Sequence, residues 1–345
     1  MDIITQGIIG ATAAQSFSKK NNVRLATFTG FLAGLLPDAD GFIRSSSDTL
    51  LSIEYHRHFT HALTFIPLGA LIAASIIWLI LRRRSTLREI YLFSFIGYST
   101  HGLLDACTSY GTRLLLPFSS TRIAWDNIAI IDPFYTIPLL VAMIWTLKTQ
   151  KIRISRAVLI YSMIYLGIGL IQRDRAIEVA KQIATHYNHT PSNIQAKPTI
   201  GQLVLWKTIY IHDDRYFVNA VRLSIPLLFN TVAFAGESAP LLDIESHYSK
   251  LDKNSVLYRD IERFKDFSSN MLVLKDDNPN IIGDARYSLL PNQIKPLWGI
   301  TVNTNKSDEH AIFGSFRKVE KRDWSTLKLM LLGKTHEGLS TIPLN

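Results

Sequence analysis

The sequence predicts an α-helical polytopic membrane domain over residues 1–172, followed by an α+β soluble domain over residues 173–345 that lies outside the cytoplasm. Three observations predict it: apolar residues are pooled in the first half, the basic residues between the pools alternate with acidic stretches, and the composition changes after residue 172. The chain has 345 residues, 47% hydrophobic and only 19% charged, against roughly a quarter charged in an ordinary soluble domain. That excludes a disordered chain, and a single cysteine, Cys107, excludes an intramolecular disulfide.

Residues 62–81 contain no charge, and at about 1.5 Å per residue they span a hydrocarbon core about 30 Å thick. Shorter uncharged runs occupy 3–17, 25–36, 90–104, 134–147 and 157–171. Length alone leaves these between membrane spans and buried helices, so charge placement decides. Lys19, Lys20 and Arg24 follow the first run; Arg82, Arg83, Arg84 and Arg88 follow the long one; Lys148, Lys151, Arg153 and Arg156 precede the last. If each run crosses once, these loops share one side, and basic short loops mark it as cytoplasmic. Loops 37–61 and 105–133, with Asp38, Asp40, Asp48, Glu54, Asp105, Asp126 and Asp132, then face outward, as does everything beyond residue 172. Met1-Asp2 supplies no basic leader, so the first run is expected to remain in the mature chain.

Residues 1–175 hold 17 Lys and Arg against 10 Asp and Glu, and the remainder 20 against 18. The net charge of +9 is therefore a topology signal. Nucleic-acid binding is not expected, because no basic stripe with interleaved aromatics is present.

In the second half, 174–187 has helical periodicity and 191–198 reads as a linker. Residues 202–211 and 215–225 read as a hairpin through His212-Asp213-Asp214. A helix is expected at 255–267 and strands at 284–290, 297–303 and 311–319. His186, His189, His212, His247, His310 and His336 show no metal-ligand spacing and read as surface histidines.

The chemistry concentrates elsewhere. His56, His58, His61 and His101 fall within 46 residues, with Asp38 and Asp40 ahead of them and Asp105 just behind. His58 and His61 are three apart, His101 and Asp105 four apart, spacings that share a helix face. Imidazole and carboxylate together suit zinc or a similar divalent ion. A purely structural polar network is the competing reading. Arg57 could hold an anionic group such as phosphate or a lipid headgroup.

These residues resemble a family. Met1-Asp2 with Thr5 and Gly10, Gly34-Leu35-Leu36-Pro37-Asp38-Ala39-Asp40, His56-Arg57-His58-Phe59-Thr60-His61-Ala62-Leu63, Thr100-His101-Gly102-Leu103-Leu104-Asp105, Ser109-Tyr110-Gly111-Thr112 and Ile131-Asp132-Pro133 follow the order found in YdjM-like inner-membrane proteins. That family is described as membrane-bound metal-dependent hydrolases. The resemblance covers about residues 1–175 and implies a bacterial inner-membrane location. It implies metal binding by Asp38, Asp40, His58, His61, His101 and Asp105, with Asp132 in the later motif. Gln6 departs from it, standing where many relatives have His. A looser, fold-level analogy exists to zinc-dependent phospholipase C.

The expected function is metal-assisted hydrolysis at the outer face of the membrane, on a phosphoester or lipid-linked substrate, with Asp132 as general base and Arg57 stabilising anionic charge. Membrane lipid is the expected partner. The alternatives are a non-enzymatic membrane protein whose His/Asp cluster is structural and, last, a metal-ion transporter, which needs ionisable groups at mid-membrane that 68–81 and 137–147 lack.

Overall fold

The computed structural model describes residues 1–199, 203–224, 230–335 and 338–344, which cover two compact units. The first comprises Met1–Ile43, Tyr55–Ile171 and Ile200–Leu203; the second comprises Arg44–Glu54, Gln172–Thr199 and Val204–Asn345. His336 and the outer ends of the expected hairpin strands, Gln202 and Ile225, lie outside the described residues.

All six apolar runs become helices. These are α1 (Ile3–Ser16), α2 (Val23–Leu35), α4 (Ile66–Leu81), α5 (Leu87–Cys107), α6 (Pro133–Thr149) and α7 (Ile152–His186), with a short α3 (Leu51–Tyr55) between α2 and α4. Two are long and apolar enough to cross a membrane unaided: Leu63–Leu81, extending α4, and α7. Their apolar windows are only 28% and 22% buried. Leu68, Ile72, Ile76 and Leu79 of α4, and Ile160, Ile164, Ile168 and Ile171 of α7, are exposed. Exposed apolar surface on that scale marks a face for a membrane or another protein.

α1 has the opposite fate. Every residue from Thr5 to Ser16 is buried, against α2, α5 and α6. Its polar residues pair inside the bundle, Gln15 donating to the Thr27 hydroxyl at 2.8 Å and to the Met143 carbonyl at 3.1 Å. The backbones of α1, α2 and α5 meet at glycines. A Cβ on Gly97 would lie 2.4 Å from the Gly30 carbonyl oxygen, and one on Gly30 would lie 2.5 Å from that of Gly10. Small residues that let helices touch are a feature of bundles in lipid, where association depends on packing.

The second unit is rich in β-sheet. One antiparallel sheet runs β1 (Ser192–Pro198), β2 (Leu205–His212), β3 (Arg215–Arg222), β4 (Val232–Phe234) and β10 (Thr341–Ile342), with β5 (Ser238–Pro240) also on β3. The other runs β6 (Leu272–Lys275), β7 (Asn278–Asp284), β8 (Trp298–Thr301) and β9 (Ile312–Ser315). The expected hairpin is β2 and β3, and its two turn residues, Asp213 and Asp214, have φ of 45° and 55°, the left-handed pair that such a tight hairpin turn needs. Ile209 and Val218 of this sheet pack with Val273 of the other.

Helices α8 (Ile244–His247), α9 (Val256–Phe267) and α10 (Lys321–Leu332) complete the unit. Ser255 caps α9 by accepting from the Tyr258 N–H. The expected helix 174–187 is no separate element but the end of α7. Residues 191–198, read as a linker, form β1 instead. β1 is an edge strand with Pro198 at its end, where a missing N–H costs no sheet bond. The strand expected at 284–290 is not formed: β7 lies before it, at Asn278–Asp284, and past it the Asp284 carboxylate turns back to accept from the Arg286 N–H and guanidinium.

Residues Arg44–Glu54 lie between α2 and α4 in sequence, yet cluster with the second unit. Leu50 is buried, and Thr49 donates to the Ala311 carbonyl and accepts from the Phe313 N–H. The Arg263 guanidinium holds Asp48 at 3.0 Å, Glu54 at 2.6 Å and Asp260 at 2.7 Å.

Candidate metal centre

The centre lies where three pieces of the first unit meet. α2 runs into a 3-10 turn, Leu36–Phe42, which Pro37 starts and which carries Asp38 and Asp40. A second 3-10 turn, Phe59–His61, presents His61. The third piece is the last turns of α5, where the i, i+4 spacing puts His101 and Asp105 on one face. Gly102 allows this approach, since a Cβ there would lie 2.4 Å from the His61 carbonyl oxygen. The two loops expected on one side are joined by backbone bonds, Leu63 N–H to Leu114 and Arg113 N–H to Arg57.

Asp38, His61, His101 and Asp105 each aim one ligand atom into a common space, all within 4.8 Å of one another. His61 Nε2 is 3.3 Å from Asp105 Oδ2 and 3.6 Å from Asp38 Oδ1; His101 Nε2 is 3.3 Å from Asp38 Oδ1 and 3.7 Å from Asp105 Oδ2. A tetrahedral ion with bonds of about 2.1 Å needs its ligand atoms about 3.4 Å apart. Both Nε2 atoms are buried without a hydrogen-bond partner, a costly state for a polar atom unless something else binds it.

The opposite ring nitrogens are committed. His101 Nδ1 is 2.6 Å from the Gly34 carbonyl, one of the acceptors left over at the end of α2. His61 Nδ1 lies 3.2 Å from Asp40 Oδ2 and 3.0 Å from the Thr60 hydroxyl. Such bonds fix Nδ1 as the donor and turn the Nε2 lone pair to a metal. The residues present therefore fit a divalent cation.

Electrostatics agree. Burial pushes the Asp38 carboxyl up, but the facing imidazoles of His101 and His61 outweigh it and hold it well below the usual carboxylate range. Burial likewise pushes Asp40 up, and His56, His61 and Thr60 bring it well below. Burial pulls His61 down, yet Asp105, Asp38 and Asp40 raise it to about 10.

The other sequence candidates are placed as follows. Asp40 stands behind His61 and joins Asp38 and His56 in a second group of possible ligands. His58 lies outside both groups, its ring against Tyr55 and Phe59. The helical spacing of His58 and His61 is not realised, because Arg57 adopts φ of 62° and the chain then makes a 3-10 turn. Arg57 Nε sits 3.0 Å from Asp105 Oδ2, at an angle that makes an ion pair without a hydrogen bond. Its NH1 donates to the Asp105 carbonyl and the Thr108 hydroxyl, so the guanidinium is spent inside the protein. Asp132 caps α6, accepting from Phe134 and Tyr135 N–H and from the Tyr165 hydroxyl. Gln6 donates to Asp105 Oδ1 at 2.9 Å. The Met1 ammonium meets the same oxygen.

His56 was in the sequence cluster without a role, and only its neighbour Asp40, 2.9 Å away, reveals one. In the second unit Asp48, Asp260 and His310 also come together, but Asp48 and Asp260 are tied to Arg263.

No solved structure gives a significant match. The uncharacterized protein YfhP of Bacillus subtilis (strain 168) is 23% identical over 268 residues, 75% of this chain and 77% of that protein. The model of the YdjM inner membrane protein family matches residues 1–176, so the chain belongs to that family.

Proposed function

We propose that this protein is a membrane-bound metal-dependent hydrolase whose divalent ion, zinc in the first instance, is held by Asp38, His61, His101 and Asp105. The observation that carries the reading is the convergence of four ligand atoms on a space into which two buried, unpartnered imidazole nitrogens point. A bound ion would supply an acidified water and polarise an ester or phosphoryl oxygen. His61 and His101 offer Nε2, with Asp40 and the Gly34 carbonyl fixing their orientation. Arg57 offsets the charge of Asp105. Asp38 is the ligand nearest the solvent, with a side chain 20% exposed against 0–1% for the other three, so substrate approach is expected from its side.

Family membership and the two apolar helices support an inner-membrane location. The finer topology is part of the proposal: multi-pass, with the centre and the C-terminal unit outside the cytoplasm. The substrate is a phosphoester or lipid-linked ester met at the outer membrane face, with lipid as the surrounding partner. Four protein donors around one ion favour a second reading, a structural ion without catalysis.

Elemental analysis of the purified chain, then a phosphoester and lipid hydrolysis screen with and without chelator, separates the two. Chelator-sensitive turnover supports the hydrolase; bound metal with no turnover supports the structural ion; a metal-free chain that takes up none refutes both. Cysteine labelling from the outside of intact cells, at Ser119→Cys in the loop expected outside and Arg83→Cys in a basic loop, tests topology. The first alone is expected to react, and the reverse pattern overturns the orientation.

A further inference from the structure

We propose that the centre is binuclear, with a second divalent cation bound by Asp40 and His56 and joined to the first through Asp38. The proposal rests on the metal-centre reading above and extends it. Asp38 is shared by the two groups of ligand residues, Asp38/His61/His101/Asp105 and Asp38/Asp40/His56, and within each group the ligand atoms lie no more than 4.8 Å apart. A carboxylate placed between two such sets can give one oxygen to each ion, as in hydrolytic centres whose ions stand about 3.5–4 Å apart.

Charge supports the second position. The Arg57 guanidinium, a permanent cation, lies on Asp105, and the Met1 amino group, whose basicity burial lowers, meets the same carboxylate. Asp38 pairs with the imidazoles of His61 and His101. Asp40, its side chain fully buried, faces the imidazoles of His56 and His61, the Thr60 hydroxyl and the Arg57 N–H. A buried carboxylate without a fixed counter-charge is expensive, and one ion in the first site still leaves Asp40 with hydrogen-bond donors but no permanent cation of its own.

Orientation supports it too. Asp40 Oδ2 collects the Arg57 N–H at 3.0 Å, the Thr60 hydroxyl at 2.7 Å and His61 Nδ1 at 3.2 Å, which turns Oδ1 to His56 Nδ1 at 2.9 Å. That separation is about the edge between adjacent ligands of a six-coordinate ion with bonds near 2.1 Å. The two sites differ in access. The first is closed by four protein donors, three of them buried. The second has three donors, and the His56 side chain is 43% exposed, leaving positions for water and a phosphoester oxygen. With two carboxylates and one imidazole it suits a harder ion than the first, manganese being a fitting probe.

The test uses the full-length chain in detergent, stripped of metal and titrated with Mn2+, with ions per chain from elemental analysis and spin coupling from electron paramagnetic resonance. The expected result is two ions per chain with an exchange-coupled signal. His56→Ala should leave one uncoupled ion whose affinity stays within about threefold of the tighter wild-type site. His56→Gln should behave the same, and a melting curve on both variants checks folding. Saturation at one ion, two ions without coupling, or two coupled ions in folded His56→Ala overturns the binuclear centre while leaving the single-ion function intact. A chain that binds no ion overturns both.

Discussion

Asp40→Asn tests the support that Asp40 gives the first ion site through His61. Asp40 does not reach the four-ligand set; it holds His61 through Nδ1 at 3.2 Å. Asparagine keeps the side-chain volume and one carbonyl oxygen for the Arg57 N–H, the Thr60 hydroxyl and His61 Nδ1, and its amide can donate to a neutral His56. The fold should therefore survive, and what disappears is the negative charge behind the imidazole. Losing such a partner typically lowers metal affinity 10–100-fold, about 1.4–2.7 kcal/mol. The 3.2 Å contact is longer than a strong charge-assisted bond of about 2.7–2.9 Å, which places the expected loss near tenfold for the tighter ion. Competition against a chromogenic zinc chelator measures it, with thermal melting as the folding control. Affinity within twofold of wild type, in a variant that melts normally, would refute the claim that Asp40 orients and polarises His61.

Three further outcomes follow from the same geometry. With its pKa raised to about 10 by Asp105, Asp38 and Asp40, ion-free His61 carries a proton at neutral pH. A metal must displace that proton, so zinc affinity should climb about tenfold per pH unit between about pH 7 and 9; a flat profile by competition titration would remove His61 from the ligand set. Gly97→Leu should cost about 1–3 kcal/mol or more by overpacking, because its Cβ would meet the Gly30 carbonyl oxygen at 2.4 Å, and an unchanged melting temperature in detergent would contradict the close contact. Arg263→Met removes the partner of Asp48, Glu54 and Asp260, costing about 2 kcal/mol; limited proteolysis should then cut within residues 44–54, Arg263→Lys should restore part of the protection, and resistance equal to wild type would count against the clamp.

The parts of the fold legible in the sequence are those with a local cause. The uncharged stretch 62–81 reads as a span because nothing interrupts it, and His101 with Asp105 reads as a pair because α5 is a regular helix there. His58 misleads for the complementary reason. Its spacing to His61 has meaning only on a helix, and the positive φ of Arg57 sets up a turn that no periodicity announces. The burial of α1 was equally silent, since an uncharged run looks the same in lipid and in protein until Gln15 finds Thr27 and Met143. Asp40 and His56 reveal their relation only in three dimensions. The docking of 44–54 depends on an arginine 209 residues beyond Glu54, beyond the reach of any window along the chain.

The Arg44–Glu54 segment bears on how this protein can be cut and recombined. It sits between the turn that carries Asp38 and the turn that carries His61, yet its own anchors, Arg263, Ala311 and Phe313, belong to the sheet-rich unit. A fragment ending near residue 172 retains every proposed ligand and loses the Arg263, Ala311 and Phe313 anchors of the intervening strip. Chimeras that graft the helical half onto a foreign partner should inherit the same defect. A faithful unit for isolating the centre therefore extends at least through Phe313.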